Sequence, residues 1–234
     1  MTITRYNNSH DIDVAFEDGT LEKNTTYSRF KNGSVINYNI PSYLNIGYRG
    51  YGKYKTRNNN IKTDEYIKWG SMLTRCYSKK HKYRENYIGC YVCDNWLNFQ
   101  NFADWYNKNK YSLPNDEKLE LDKDIRVKGN KIYSPDTCLL VPKRINDVIL
   151  NRKNDRGKYL IGVKYNEKNK KYIAMCNVDG NVKYIGSFNS ESEAYIAYKS
   201  CKEEEIHNVC KKYKNIVPSE ILKIVLNYKI DEND

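Results

Sequence analysis

The chain has 234 residues, 39% of them hydrophobic and 29% charged, which bounds it to one large soluble domain or two or three small ones. No run approaches the length of a membrane span, which excludes a transmembrane helix protein, and the first residues lack the apolar core of a secretion signal. A net charge of +11, from 40 basic and 29 acidic side chains, favours a polyanionic partner and excludes a DNA mimic, which needs clustered carboxylates.

That charge is uneven. Residues 1–60 carry +3, residues 61–154 carry +6 (18 basic against 12 acidic) and residues 155–234 carry +2, so the middle segment is the most basic. A lysine-rich surface that only keeps the protein soluble is the bland alternative, since Lys, Asn, Ile and the 23 tyrosines all have AT-rich codons. Seven cysteines without a secretion signal predict reduced thiols, and a bacterial cytoplasm is the expected location.

Residues 1–60 read as a small β module with a trailing linker. Residues 11–16 alternate polar with apolar and predict a strand; residues 26–30 and 35–40 predict two more, with turns at 17–20 and 31–34. Residues 51–63 are polar and rich in Gly and Asn, the composition of an exposed loop. From Asp64 the period becomes helical, with Tyr66, Trp69, Leu73 and Cys76 on one face. A basic loop containing His81 and a short extended run follow. Asp94 or Asn95 then caps a predicted helix whose Trp96, Phe99, Phe102 and Trp105 form a core stripe rather than a base-stacking platform.

Residues 121–147 carry the chemistry. Asp122 and Asp124 flank Lys123, a Lys-Gly-Asn turn occupies 128–130, and a Ser-Pro-Asp-Thr-Cys corner leads to a basic segment ending near Asn146. Upstream stand Trp69, Met72, Leu73, Arg75, Cys76 and Tyr77, then Val92, Cys93, Trp96 and Phe99. In this order, with Tyr133, Ser134, Pro135 and Cys138, the run resembles the HNH (ββα-metal) nuclease core of phage homing endonucleases. The resemblance implies a ββα fold, double-stranded DNA as partner, and Mg²⁺ or Mn²⁺ held by a carboxylate and an amide beside an imidazole base. It puts Asp122 at the metal-carboxylate position, with Asp124 and Asn146 as further catalytic candidates. Lys123 stands where the histidine belongs and Thr137 where the first asparagine belongs. An ordinary lysine keeps its proton to a pH of about 10.4, which makes it a poor general base.

Past residue 158 the pattern is three antiparallel strands with turns at 167–170 and 179–181. A helix with the capping box Ser190-x-x-Glu193 follows, its inner face carrying Ala194, Ala197, Tyr198 and Cys201. A helical tail with Ile221, Val225 and Leu226 is expected to pack back on it. Gly162-Val163, Ala174, Ile185-Gly186-x-Phe188, Glu193-Ala194 and Ala197-Tyr198 resemble the Apetala-two/ethylene-response-factor DNA-binding domain. That resemblance implies DNA contacts at Lys164, Asn166, Asn177 and Tyr184, while Met175 and Val182 depart from the family pattern. Lys143, Arg144, Arg152, Lys153, Arg156 and Lys158 join the two regions, as phosphate contacts or as a solvated linker.

The expected fold is α+β: a small N-terminal β module (1–60), an HNH-like ββα core with preceding helices (61–154), and a C-terminal three-stranded antiparallel sheet plus helix (155–234). Two metal sets stay open. Asp122 and Asp124 on one strand face offer oxygen ligands to Mg²⁺, and Cys76, Cys90, Cys93 and Cys138 offer four thiolates to zinc, or are small buried hydrophobes. His81 is either a recruited base or an exposed loop residue. The leading expectation is a phage-type DNA-binding protein on a degenerate HNH core. An active homing-type endonuclease and an inhibitor of a host defence protein are the alternatives.

Overall fold

A computed structural model describes residues 1–82, 84–150 and 158–232. The chain is α+β and divides into two compact units, Met1–Lys108 with Ile132–Ser134, and Asn109–Lys131 with Pro135–Asp234. The expected boundary at 154 is absent from this division, because apolar residues on both sides of it share one core.

In the N-terminal unit, β1 (Thr2–Asn8), β2 (Asp11–Ala15) and β3 (Leu21–Thr25) form an antiparallel sheet in that order. Ile12, Val14 and Val35 make a small core beneath it. The strand expected at 26–30 is instead α1 (Tyr27–Lys31), because Thr26 Oγ1 accepts from Arg29 N and caps a helical turn. No strand forms at 35–40 either. Asn37 Oδ1 accepts from Asn39 N at 2.9 Å and its amide donates to Asp18, bonds that close a turn in place of a ladder. The segment read as a loop carries a small hairpin, β4 (Arg57–Asn58) and β5 (Ile61–Lys62), turned by Asn59 and Asn60 at φ of 46° and 64°.

α2 (Asp64–Tyr77) follows the expected period and buries Trp69, Met72 and Leu73. β6 (Tyr91–Val92) pairs in parallel with the later strand Ile132–Tyr133. The single helix expected from residue 94 is two, α3 (Asp94–Leu97) and α4 (Phe99–Asn109). Asn98 breaks them with ψ of 117°, and its Oδ1 then accepts from Gln100 N at 2.9 Å. The start of α3 is Cys93, without a side-chain cap, rather than Asp94 or Asn95. Trp96, Phe99 and Phe102 are fully buried as the core stripe requires, and Trp69 Nε1 donates to Trp96 O at 2.7 Å.

In the second unit, β7 (Leu119–Asp122) pairs antiparallel with Leu139–Pro142, and α5 (Lys143–Ile149) starts at once from that strand. With Ile132–Tyr133 as β8, Leu139–Pro142 is β9. β10 (Val163–Asn166), β11 (Lys171–Val178) and β12 (Asn181–Phe188) form an antiparallel sheet in sequence order. Asp179 and Gly180 turn the second hairpin at φ of 48° and 84°. α6 (Glu191–Lys212) carries the complete capping box at Ser190 and Glu193. α7 (Ser219–Leu226) packs back on the core of this unit through Val225 and half-buried Ile221, as expected, and through Leu222, which takes the place expected of the exposed Leu226. Val141 and Ile145 meet Ala174, Ala194, Val209 and Val225 in one core, where each large aliphatic side chain contributes about 1.5–3 kcal/mol.

Candidate nucleic-acid interface

Alternation along β11 points Ala174 and Cys176 inward, where both are buried, and so turns Ile173, Met175 and Asn177 outward. A one-residue irregularity between Ala174 and Met175 sets Met175 opposite Tyr184 and Asn177 opposite Val182; Lys164 lies opposite Ile173. The outer face therefore gathers Lys164, Asn177 and Tyr184, all exposed, around Met175 and Val182. Neither aspartate nor glutamate occurs in β10, β11 or β12. Gly162 supports this arrangement: at φ +76° its carbonyl accepts from Met175 N at 2.9 Å, and a Cβ there would strike Tyr198. Asn166 has a different task from its neighbours, since its Oδ1 accepts from Lys168 N and Asn169 N and closes the hairpin turn.

The basic segment before the sheet is less open than its sequence suggests. Arg144 donates to the buried Glu205 at 2.6 Å and approaches Asp179 at 3.4 Å. Lys143 pairs with Asp147 one turn on, and Asn146 is half-buried on the same helix. Lys158 is exposed, with Nζ 5.1 Å from the Tyr159 ring centroid. Arg152, Lys153 and Arg156 lie outside the described residues.

The Asp122 loop holds itself together. β7 stops at Asp122, so Asp124 lies beyond the strand and the shared strand face expected for the two carboxylates does not form. Asp122 Oδ1 accepts the N–H groups of Asp124 and Ile125, each at 2.7 Å. Burial nonetheless raises the Asp122 acid above its ordinary value, against those two donors. Lys123 is only 5% exposed; its ammonium donates to both Asp124 oxygens and to Asn130 O at 2.7–2.8 Å. The Asn130 amide returns a bond to Lys123 O at 2.9 Å. Asp122 Oδ1 is thus taken by two amides and both Asp124 oxygens by the Lys123 ammonium, which leaves Asp122 Oδ2 as the loop carboxylate oxygen outside these bonds. Thr137, at the place of the first motif asparagine, has its hydroxyl 4.0 Å from Cys138 Sγ.

Among the described residues no group of three or more His, Cys, Asp or Glu side chains is assembled that could hold a metal ion, zinc included. All seven cysteines are thiols; Cys90 and Cys138 are buried and Cys76 and Cys93 half-buried. Beside the loop, Arg126, Lys128, Lys199 and Lys229 line a cleft of about 550 Å³ against the single carboxylate of Asp231. Lys128 Nζ lies 5.3 Å from the Tyr228 ring centroid. Sequence reasoning missed this cluster because residues a hundred positions apart supply it. No family model matches the chain, and no curated protein or solved structure matches it either.

Proposed function

We propose that the protein binds duplex DNA through the outer face of the β10–β12 sheet, with the degenerate HNH-like hairpin and helix as its structural support. The observation that carries this reading is a solvent-facing sheet without a carboxylate at any strand position, bearing Lys164, Asn177 and Tyr184. A lysine supplies a phosphate contact, and an amide and a phenol offer donors and acceptors to base edges. The net charge of +11 adds long-range attraction to a polyanion.

Binding without cleavage is the better reading of the Asp122 loop. Hydrolysis by the HNH scheme needs an imidazole at position 123, and the lysine there is buried against Asp124 and Asn130. The endonuclease alternative rests on the order β7, β9, α5, a hairpin feeding directly into a helix. The test is gel retardation of duplex DNA by the full chain across a salt series, with and without Mg²⁺ or Mn²⁺. Salt-sensitive retardation, lost in a folded Lys164→Ala/Asn177→Ala/Tyr184→Ala variant, supports the proposal. Cuts abolished by Asp122→Ala would establish the nuclease in its place, and neither retardation nor cutting at low salt would refute both.

A further inference from the structure

A cleft of about 330 Å³ opens beside α2 in the N-terminal unit, within the lower range of small-molecule sites (roughly 300–1,000 Å³). Its charge is of one sign. Lys62, Arg75 and His81 stand in its wall, and none of its nine lining residues is acidic. Asp64 and Glu65, on the first turn of the same helix, are not among them. Ser71 and Thr74 add two hydroxyls, spaced i, i+3 on α2 so that both reach the same concavity.

Two tyrosines join the lining. Tyr43 and Tyr66 meet nearly edge to face, with ring centroids 6.4 Å apart at 85°, and the Tyr43 hydroxyl lies 3.3 Å from Thr74 Oγ1. Gly70 keeps the floor open, since a Cβ there would come within 2.8 Å of the Tyr43 hydroxyl. Tyr87 packs against two of the lining side chains. Arg75 Cζ lies 5.8 Å from its ring centroid, and the His81 ring packs edge-on at 5.6 Å. A solvated surface accounts for Lys62, which is exposed, but not for three segments (β5, α2 and the loop after α2) delivering Lys62, Arg75, His81 and two hydroxyls to one hollow.

We infer that this cleft binds a phosphate monoester attached to an aromatic ring, supplied either as a free nucleoside monophosphate or as the phosphorylated end of a nucleic-acid strand. The cationic side and its hydroxyls would take the phosphate oxygens by charge-assisted hydrogen bonds, and the tyrosines would face the base. These residues all belong to the other unit from Lys164, Asn177 and Tyr184, so this inference and the proposed DNA function stand or fall separately.

The experiment is calorimetric titration of the full chain with adenosine 5′-monophosphate, adenosine, inorganic phosphate, and a trinucleotide with and without a 5′-phosphate. Adenosine 5′-monophosphate or the phosphorylated trinucleotide should bind at least about tenfold more tightly than adenosine or phosphate alone. Lys62→Ala and His81→Ala, which leave the core untouched, should each weaken that binding with unchanged circular dichroism, Lys62→Ala by about tenfold, the loss of one charge-assisted hydrogen bond. The sheet variant Lys164→Ala/Asn177→Ala/Tyr184→Ala should bind it normally. Tighter binding of the phosphorylated trinucleotide assigns the site to strand ends; tighter binding of the mononucleotide assigns it to free nucleotides. If neither phosphorylated ligand outbinds adenosine, or if both single substitutions leave affinity unchanged, the inference is overturned.

Discussion

Arg144 of α5 and Glu205 of α6 are bound at 2.6 Å, and the same Glu205 oxygen accepts the backbone N–H of Asp179 at 3.0 Å. One carboxylate, only 3% exposed, thus ties the helix after the β7–β9 hairpin to the long helix and to the β11–β12 turn. A residue that reads in sequence as a phosphate contact is spent on holding the unit together. Arg144→Ala should therefore lower stability by about 3 kcal/mol, because the buried Glu205 carboxylate loses its guanidinium partner. Arg144→Met with Glu205→Gln should recover most of that loss in urea unfolding. Weakened DNA retardation with an unchanged unfolding midpoint would assign Arg144 to DNA instead.

Gly162 and Gly129 both have left-handed backbone, at φ of +76° and +72°, but differ in surroundings. A Cβ on Gly162 would come within 2.0 Å of Tyr198 Cδ2, whereas one on Gly129 meets nothing within 4 Å. Gly129→Ala should cost about 1 kcal/mol, the conformational term alone. Gly162→Ala should cost clearly more, about 3 kcal/mol, with overpacking added to strain. Equal shifts in melting temperature would contradict the packing described for β10 against α6.

Asp13 and Asp122 should respond to acid in opposite senses. The Arg5 guanidinium, donating to Asp13 Oδ2 at 2.8 Å, holds that carboxyl down at about 2. Its contribution is complete above the unfolded value of about 3.9 and is lost as pH falls through the folded one. Burial shifts Asp122 the other way, so the folded protein binds this proton more readily than the unfolded chain, and the penalty eases as pH falls through the raised value. Asp122→Asn keeps an oxygen for the two backbone N–H groups and removes the buried charge. Its unfolding midpoint at pH 7 should equal or exceed that of the natural protein, with the advantage shrinking in acid; Asp122→Ala should lose about 1–2 kcal/mol. A destabilised Asp122→Asn protein would mean that the charge itself is required.

DNA retardation should weaken with salt, and Lys164→Ala should reduce the slope of log affinity against log salt by about 0.9, one phosphate contact. Tyr184→Ala should lower affinity while leaving that slope unchanged. Reversal of these two behaviours in a salt titration would exchange the roles given to the two residues.

Burial first, and the neighbouring Cys201 second, push the Cys176 thiol up to about 12; burial pushes Cys210 up to about 11. The thiolate is the reactive form, so neither should be alkylated by iodoacetamide at pH 8 in the native protein, and both should label in urea. Rapid native labelling at either position, read by peptide mass, would show that the α6 core opens.

Local order was largely legible. The period of α2, the Ser190–Glu193 capping box and the Asp179–Gly180 hairpin are signals between close neighbours, and each forms where its residues indicate. The misread segments are those where a polar side chain outcompetes the pattern: Thr26 caps a helical turn, Asn37 closes a turn, and Asn98 divides α3 from α4.

Composition and periodicity by themselves determined an α+β chain with a basic surface and a carboxylate-free C-terminal sheet, because charge and alternation are properties of the chain read in order. Tertiary packing alone decided which charges remain for a partner. It buried Lys123 against Asp124 and Asn130, turned Arg144 onto Glu205, and brought Lys62, Arg75 and His81 to one hollow. Those outcomes depend on which distant surfaces are covered when the core closes, and burial at long range leaves no mark in local sequence.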